Sequence, residues 1–190
     1  MFEEDGLRVA LDTLGTLLLD RGLAYEIVVI GGGGLLLLGL IKRPTKDLDA
    51  LALVENGEYL RAKPMPEALA QAVADVAAVQ GLDSEWLNPG PTDQLRFGLP
   101  EGFSKRTTRH VFGGLVVDLA ARVDQIFLKL YAAADGDPKS KHVRDLIDLD
   151  PSAAELRSAA AWVKQQDSGA EFGAFVDQVI AHLEAALGRA

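Results

Sequence analysis

The chain has no cysteine, which excludes a disulfide framework, a thiolate metal site and a cysteine nucleophile together. It has only three histidines among 190 residues, at positions 110, 142 and 182, and so scattered a set does not make a histidine-rich metal centre. Long apolar runs are missing as well. Leu14 to Leu19 is far shorter than the roughly 20 residues that cross a bilayer. Basic residues are outnumbered 28 to 19, giving a formal net charge of -9, which argues against broad adhesion to nucleic acid and leaves room only for a local basic patch. Met1-Phe2-Glu3-Glu4-Asp5 is acidic where a secretory signal would be basic. The expectation is a cytoplasmic protein with no membrane association, free of internal repeats and low-complexity segments.

Apolar residues make up 48% of the chain, enough to bury an ordinary core in one domain or a domain with a helical extension. Leu7 to Arg21 carries apolar residues at helical spacing and stops at Arg21-Gly22. Tyr25 to Ile30 is a short β-branched run that ends in four glycines, and Leu35 to Leu40 resumes as an apolar helix, so the expected order is strand, glycine turn, helix. After the basic loop Lys42-Arg43-Pro44-Thr45-Lys46, a strand is expected from Asp47 to Leu53. A helix follows from Glu67 to Val79, with Pro64 and Pro66 at its opening, and Leu82 to Pro91 reads as irregular. Thr107 to Phe112 and Leu115 to Ala120 form a hairpin across Gly113-Gly114. From Arg122 the pattern is helical: Val123 to Ala134, Lys139 to Leu149, Ser152 to Gln166 and Ala170 to Leu187. Asp150-Pro151-Ser152 and Asp167-Ser168-Gly169 separate the last three, and Ser152 with Glu155 makes a capping box. The reading is an α/β (α+β) chain, a small mixed sheet flanked by helices over 1–121 and a C-terminal helical bundle over 122–190 packed on that core.

Gly31, Gly32, Gly33 and Gly34 between strand and helix leave backbone N–H groups clear of side chains at the positive end of a helix, where a phosphate is favoured. No register of the run supplies the first, third and sixth glycines of a dinucleotide fingerprint. A close approach of helix to strand explains the glycines equally well. Asp47 and Asp49 stand two apart on a strand and therefore face one side, with Cα atoms roughly 7 Å apart. Two carboxylates so placed can share a hard divalent cation, and magnesium is usually held by one or two carboxylates with the phosphates of its substrate.

The stretch Val29-Ile30-Gly31-Gly32-Gly33-Gly34-Leu35, with Leu38-Gly39-Leu40, Arg43, Thr45 and Asp47-Leu48-Asp49, resembles the first motifs of the AbiEii-like and related nucleotidyltransferases of the DNA polymerase beta-like superfamily. Ile126-Phe127-Leu128-Lys129-Leu130-Tyr131 and Lys141-His142-Val143-Arg144-Asp145-Leu146-Ile147-Asp148 are similar to that family's later lysine-bearing and aspartate-bearing helices. The resemblance runs from about Val28 to Gln166. It implies a nucleotidyltransferase fold and nucleotide binding by Gly31 to Gly34, Arg43, Thr45 and Lys129. It further implies a catalytic role for Asp47, Asp49, Lys129 and one downstream aspartate, Asp145 being preferred to Asp148. Many members carry a hydroxyl residue directly after the glycine pair, and here Gly33-Gly34 leaves only backbone N–H groups for the phosphate.

Asp118 interrupts the apolar strand Leu115-Val116-Val117-Asp118-Leu119-Ala120, where a lone carboxylate is costly to bury unless it is paired or on a metal. It is the candidate third carboxylate for Mg2+ (or Mn2+), beside Asp47 and Asp49. Lys105-Arg106 with Arg109-His110, and Lys139 with Lys141-His142 and Arg144, are the two basic clusters where an RNA backbone could dock. The resemblance implies transfer of a nucleoside monophosphate from a nucleoside triphosphate to an acceptor hydroxyl. The favoured acceptor is the end of a transfer RNA, as for toxins of toxin–antitoxin systems, with a cognate antitoxin supplied by another chain. The alternatives are a protein or a small molecule such as an aminoglycoside as acceptor, and a non-catalytic nucleotide-binding module.

Overall fold

A computed structural model describes residues 1–135, 141–167 and 169–189. It is a mixed α/β structure built on one mixed sheet flanked by helices, with four helices at the C-terminal end, as the sequence patterns indicate. The chain divides into two compact units, one of Met1–Leu99 with Phe103–Ala120, the other of Pro100–Gly102 with Ala121–Ala190. No described helix is long and apolar enough to cross a membrane.

In the first unit, helix α1 (Glu4–Asp20) buries Leu7, Leu11, Leu14 and Leu18 on one stripe, the face that its spacing marks as apolar. The strands are β1 (Tyr25–Ile30), β2 (Leu48–Glu55), β3 (Glu58–Arg61), β4 (Leu87–Asn88), β5 (Thr108–Phe112) and β6 (Leu115–Leu119). Their order is β3-β2-β1-β6-β5, with β4 on β2. β1 runs parallel to β6 and antiparallel to β2, so the sheet is mixed. Ile27, Val29, Leu53, Leu115, Val117 and Leu119 turn to one side and form the core with α1 and with α3 (Glu67–Gln80). Side chains alternate along a strand, so Glu26, Val28, Ile30 and their neighbours across the pairing, Asp49 and Asp118, turn to the other side.

Two departures from the sequence reading bear on the site. The glycines are not a turn ahead of a helix at Leu35–Leu40: helix α2 is Gly31–Leu37, with all seven residues buried. Only Gly31 is a turn residue, at φ +75°, and the chain leaves the helix at Leu38 and Gly39. Apolar pattern marked the buried leucines; it carried no information on which glycines had helical dihedrals, because glycine tolerates either hand. The second departure is β3, which the pattern of exposed residues hid. Asn56 and Gly57 both have positive φ, 52° and 81°, the geometry of a type I′ hairpin, and Asn-Gly is its strongest signal.

In the second unit, α4 (Arg122–Ala134), α5 (Lys141–Leu149), α6 (Ala153–Gln166) and α7 (Ala170–Ala186) pack on one another. Ser152 and Glu155 form the expected reciprocal capping box of α6. Arg122 ties the end of α5 to the start of α6, donating to the Leu149 carbonyl and to Glu155 at 2.6 Å. Lys139 and Ser168, named in the sequence reading of the helix boundaries and of one basic cluster, lie outside the described residues.

Candidate functional site

β1 delivers the chain to Gly31 beside the start of β2, where Ile30 pairs with Asp49. The glycines are what lets α2 lie this close. A Cβ on Gly31 would overlap the Asp49 carboxylate, one on Gly33 would stand 2.7 Å from Leu48 Cδ1 and 2.9 Å from the Asp47 carbonyl, and one on Gly32 would stand 3.1 Å from Thr45 Oγ1. Arg43 Nη2 lies 3.6 Å from the same point. Close approach of helix to strand is thus a sufficient reason for Gly31, Gly32 and Gly33, and it gathers Arg43, Thr45, Asp47 and Asp49 at one corner of the sheet.

Within that corner, Thr45 is buried and its hydroxyl donates to the Asp47 carbonyl at 3.1 Å, which fixes the entry into β2. Asp49 is held by a residue that sequence reasoning left in an irregular segment: Asn88 Nδ2 donates to Asp49 Oδ1 at 3.2 Å. Asn88 follows the fully buried Trp86, whose indole N–H donates to the Val73 carbonyl of α3. No motif pointed to Asn88; its partner lies 39 positions away and is set by the β2–β4 pairing.

Asp118 goes elsewhere. It pairs across β1 from Asp49, opposite Val28 rather than Ile30, so ideal sheet spacings put the two Cα atoms roughly 12 Å apart, about 10 Å across and 7 Å along. That is too far for both carboxylates to share one ion. Asp118 is buried at 6% exposure and takes both arms of Arg109, from Nε and Nη2 at 3.0 Å each. Arg109 also pairs with Glu26. The carboxylate that the sequence marks as a third metal ligand is paired instead with a guanidinium, which answers the cost of its burial. Among the described residues, no group of three or more histidine, aspartate or glutamate side chains could hold one metal ion.

Asp118, Glu26 and Arg109 line a cavity of about 370 Å³ together with Val54, Gly57, Tyr59, Ser104 and Thr107. Burial and a hydrogen bond with Asp118 raise the Glu26 carboxyl above its ordinary range, against the opposing pull of Arg109. Both carboxylates in turn raise Arg109 further. Tyr59 stands edge-on to Phe103 at 5.9 Å. Glu26 and Tyr59 escaped the sequence reading; only the Asn56-Gly57 turn could have placed Tyr59 on a strand.

In the second unit the structure joins two of the expected residues. Lys129 Nζ donates to Asp145 Oδ2 at 2.5 Å, with side chains 6% and 0% exposed. Asp148, the alternative to Asp145 in the sequence reading, is exposed on α5. His142, one turn from Asp145, is pushed down to about 4 by burial, then by the charges of Lys129 and Lys141. Its Nδ1 is buried with no hydrogen-bond partner among the described residues. Of the basic clusters, Arg109 is committed to Asp118 and Glu26, and His142 is held neutral; among the described residues Lys105, Lys141 and Arg144 are further exposed cations. Compared with family models, with curated proteins and with solved structures, the chain matches none of them.

Proposed function

We propose that this chain is a metal-dependent nucleotidyltransferase, moving a nucleoside monophosphate from a nucleoside triphosphate to an acceptor hydroxyl, and that the acceptor is RNA, at the end of a transfer RNA, as for the toxin of a toxin–antitoxin pair. The observation that carries this reading is the corner where Asp47, just before β2, and Asp49, on β2, meet Gly31–Gly33, with Arg43 and Thr45 alongside. Two hard oxygen donors two residues apart suit magnesium or manganese, whose remaining ligands would be waters and the phosphates of the nucleotide. A divalent ion held there would supply charge stabilisation at the α-phosphate.

The chain's own residues do the rest. Asp47 and Asp49 would hold the cation that accompanies the nucleotide, Arg43 would add positive charge for the phosphates, and the backbone N–H groups at the start of α2 would stand in for the side-chain hydroxyl that does not follow the glycines. The acceptor oxygen bonds to the α-phosphorus as the bond to pyrophosphate breaks, and the acceptor proton leaves to a carboxylate or water. Asp118 has no part in holding the cation.

A second reading is favoured by the cavity at Glu26, Asp118 and Arg109. Two carboxylates against one guanidinium leave it acidic, which suits a cationic small-molecule acceptor such as an aminoglycoside better than RNA. The test supplies the protein with magnesium, each α-labelled nucleoside triphosphate, and total RNA, cell protein or an aminoglycoside, with Asp49→Asn as control. Label on RNA that disappears in the variant supports the first reading, and label on the aminoglycoside the second. Nucleotide binding with no transfer to any acceptor points to a non-catalytic module.

A further inference from the structure

We infer that the cavity at Glu26 and Asp118 is a binding site for a small organic cation that carries a primary ammonium, such as an alkyl diamine. The inference rests on the acidic cavity of the second reading above, and it requires binding there rather than nucleotide transfer. The walls come from Glu26 of β1, Tyr59 of β3, Arg109 of β5 and Asp118 of β6, with Ser104 and Thr107 from the chain just before β5. The volume of about 370 Å³ falls in the size range of small-molecule sites. Among the described residues that line it, the charges do not balance. Two carboxylates face one guanidinium, and a single nitrogen of that group, Arg109 Nη2, donates to both Glu26 Oε1 and Asp118 Oδ2. Burial, then a hydrogen bond with Asp118, raises the Glu26 carboxyl, so a proton is the nearest substitute for the missing positive charge. A primary ammonium brings that charge with three N–H donors, which suit the two carboxylates and the hydroxyls of Tyr59, Ser104 and Thr107. Asp118 is buried while Glu26 keeps 26% of its side chain exposed, so a ligand reaches the pair from the side of Glu26.

The decisive measurement is titration calorimetry of the full chain at pH 7 with 1,4-diaminobutane, tetramethylammonium and 1,4-butanediol. Diaminobutane is expected to saturate the site with a dissociation constant on the order of 1 mM or below. Tetramethylammonium has the charge without N–H donors, and butanediol has the carbon chain without the charge, so each binds at least about 10-fold more weakly. Glu26→Gln weakens diaminobutane by about 10-fold, and Tyr59→Phe, which keeps the edge-on contact with Phe103, by about 3-fold. Glu171→Gln, an exposed change on α7, controls for the net charge of -9 and binds like the parent. Melting midpoints verify that each variant is folded. No saturable heat up to about 10 mM, equal affinity for tetramethylammonium, or an equal loss in Glu171→Gln overturns the site. Saturable diamine binding without transfer to any acceptor keeps the site and removes the second reading, whereas transfer to an aminoglycoside without diamine binding removes the site and keeps that reading.

Discussion

Asp145→Ala removes the partner of a lysine whose side chain is 6% exposed and leaves its ammonium, formerly 2.5 Å from Asp145 Oδ2, without that countercharge inside the helical unit. Breaking a buried pair from one side costs about 3–5 kcal/mol, because an uncompensated charge stays behind. Replacing both members by apolar residues of similar volume, Lys129→Met with Asp145→Leu, is close to neutral by the same reasoning. The two tryptophans make the assay specific, since Trp162 lies on α6 against Phe127 and Trp86 belongs to the sheet unit. In a Trp86→Phe background, fluorescence reports the helical unit alone. With a urea slope of about 2 kcal/mol per molar, the single variant shifts the Trp162 transition down by roughly 1.5–2.5 M. The double variant returns most of that shift. A single variant within about 0.5 kcal/mol of the parent, or a double variant no more stable than the single, refutes the argument. The same double variant separates structure from chemistry at Lys129. A folded protein without transfer activity assigns the ammonium to the phosphate, whereas full activity confines it to holding α4 on α5.

Two pH effects follow from the shifted groups. His142 is held down at about 4 against an ordinary 6.5, so between these values the unfolded chain binds the proton and the native ring does not, and stability falls as the pH drops through this window. Allowing for water at a half-buried ring, the loss is about 2 kcal/mol, and His142→Phe removes it from urea midpoints measured between pH 7 and 4. Glu26 has the opposite sign. Its raised carboxyl binds a proton more readily in the native state, so its contribution declines as the pH rises through the native titration. Glu26→Gln is therefore more stable than the parent at pH 7, and the gain disappears at pH 4; a variant less stable at pH 7 would mean that the exposed contact with Arg109 outweighs the burial of the carboxyl.

The sequence by itself determined most of the elements and one strand pairing, β5 with β6: the apolar stripe of α1, the β-branched run of β1, the Gly113-Gly114 hairpin and the Ser152–Glu155 cap are local, so nearest neighbours decide them. It placed Asp49 on a strand, whereas the strand expected from Asp47 begins one residue later, at Leu48, so alternation along β2 does not reach Asp47. The partners of the charged side chains were not legible, since each depends on a strand or helix distant in the chain. Nothing local to Asp118 announces the Arg109 that β5 brings to it, nothing local to Lys129 announces Asp145 on α5, and Asn88 reads as loop until β4 pairs with β2. The glycines show the same division. Their number announced a special backbone, and only the approach of α2 to β2 decided that the space at Gly31, Gly32 and Gly33 is taken by Asp49, Thr45 and Leu48. A buried charge must find an opposite charge or a hydrogen bond wherever the fold supplies one, and that supply is a property of the tertiary structure.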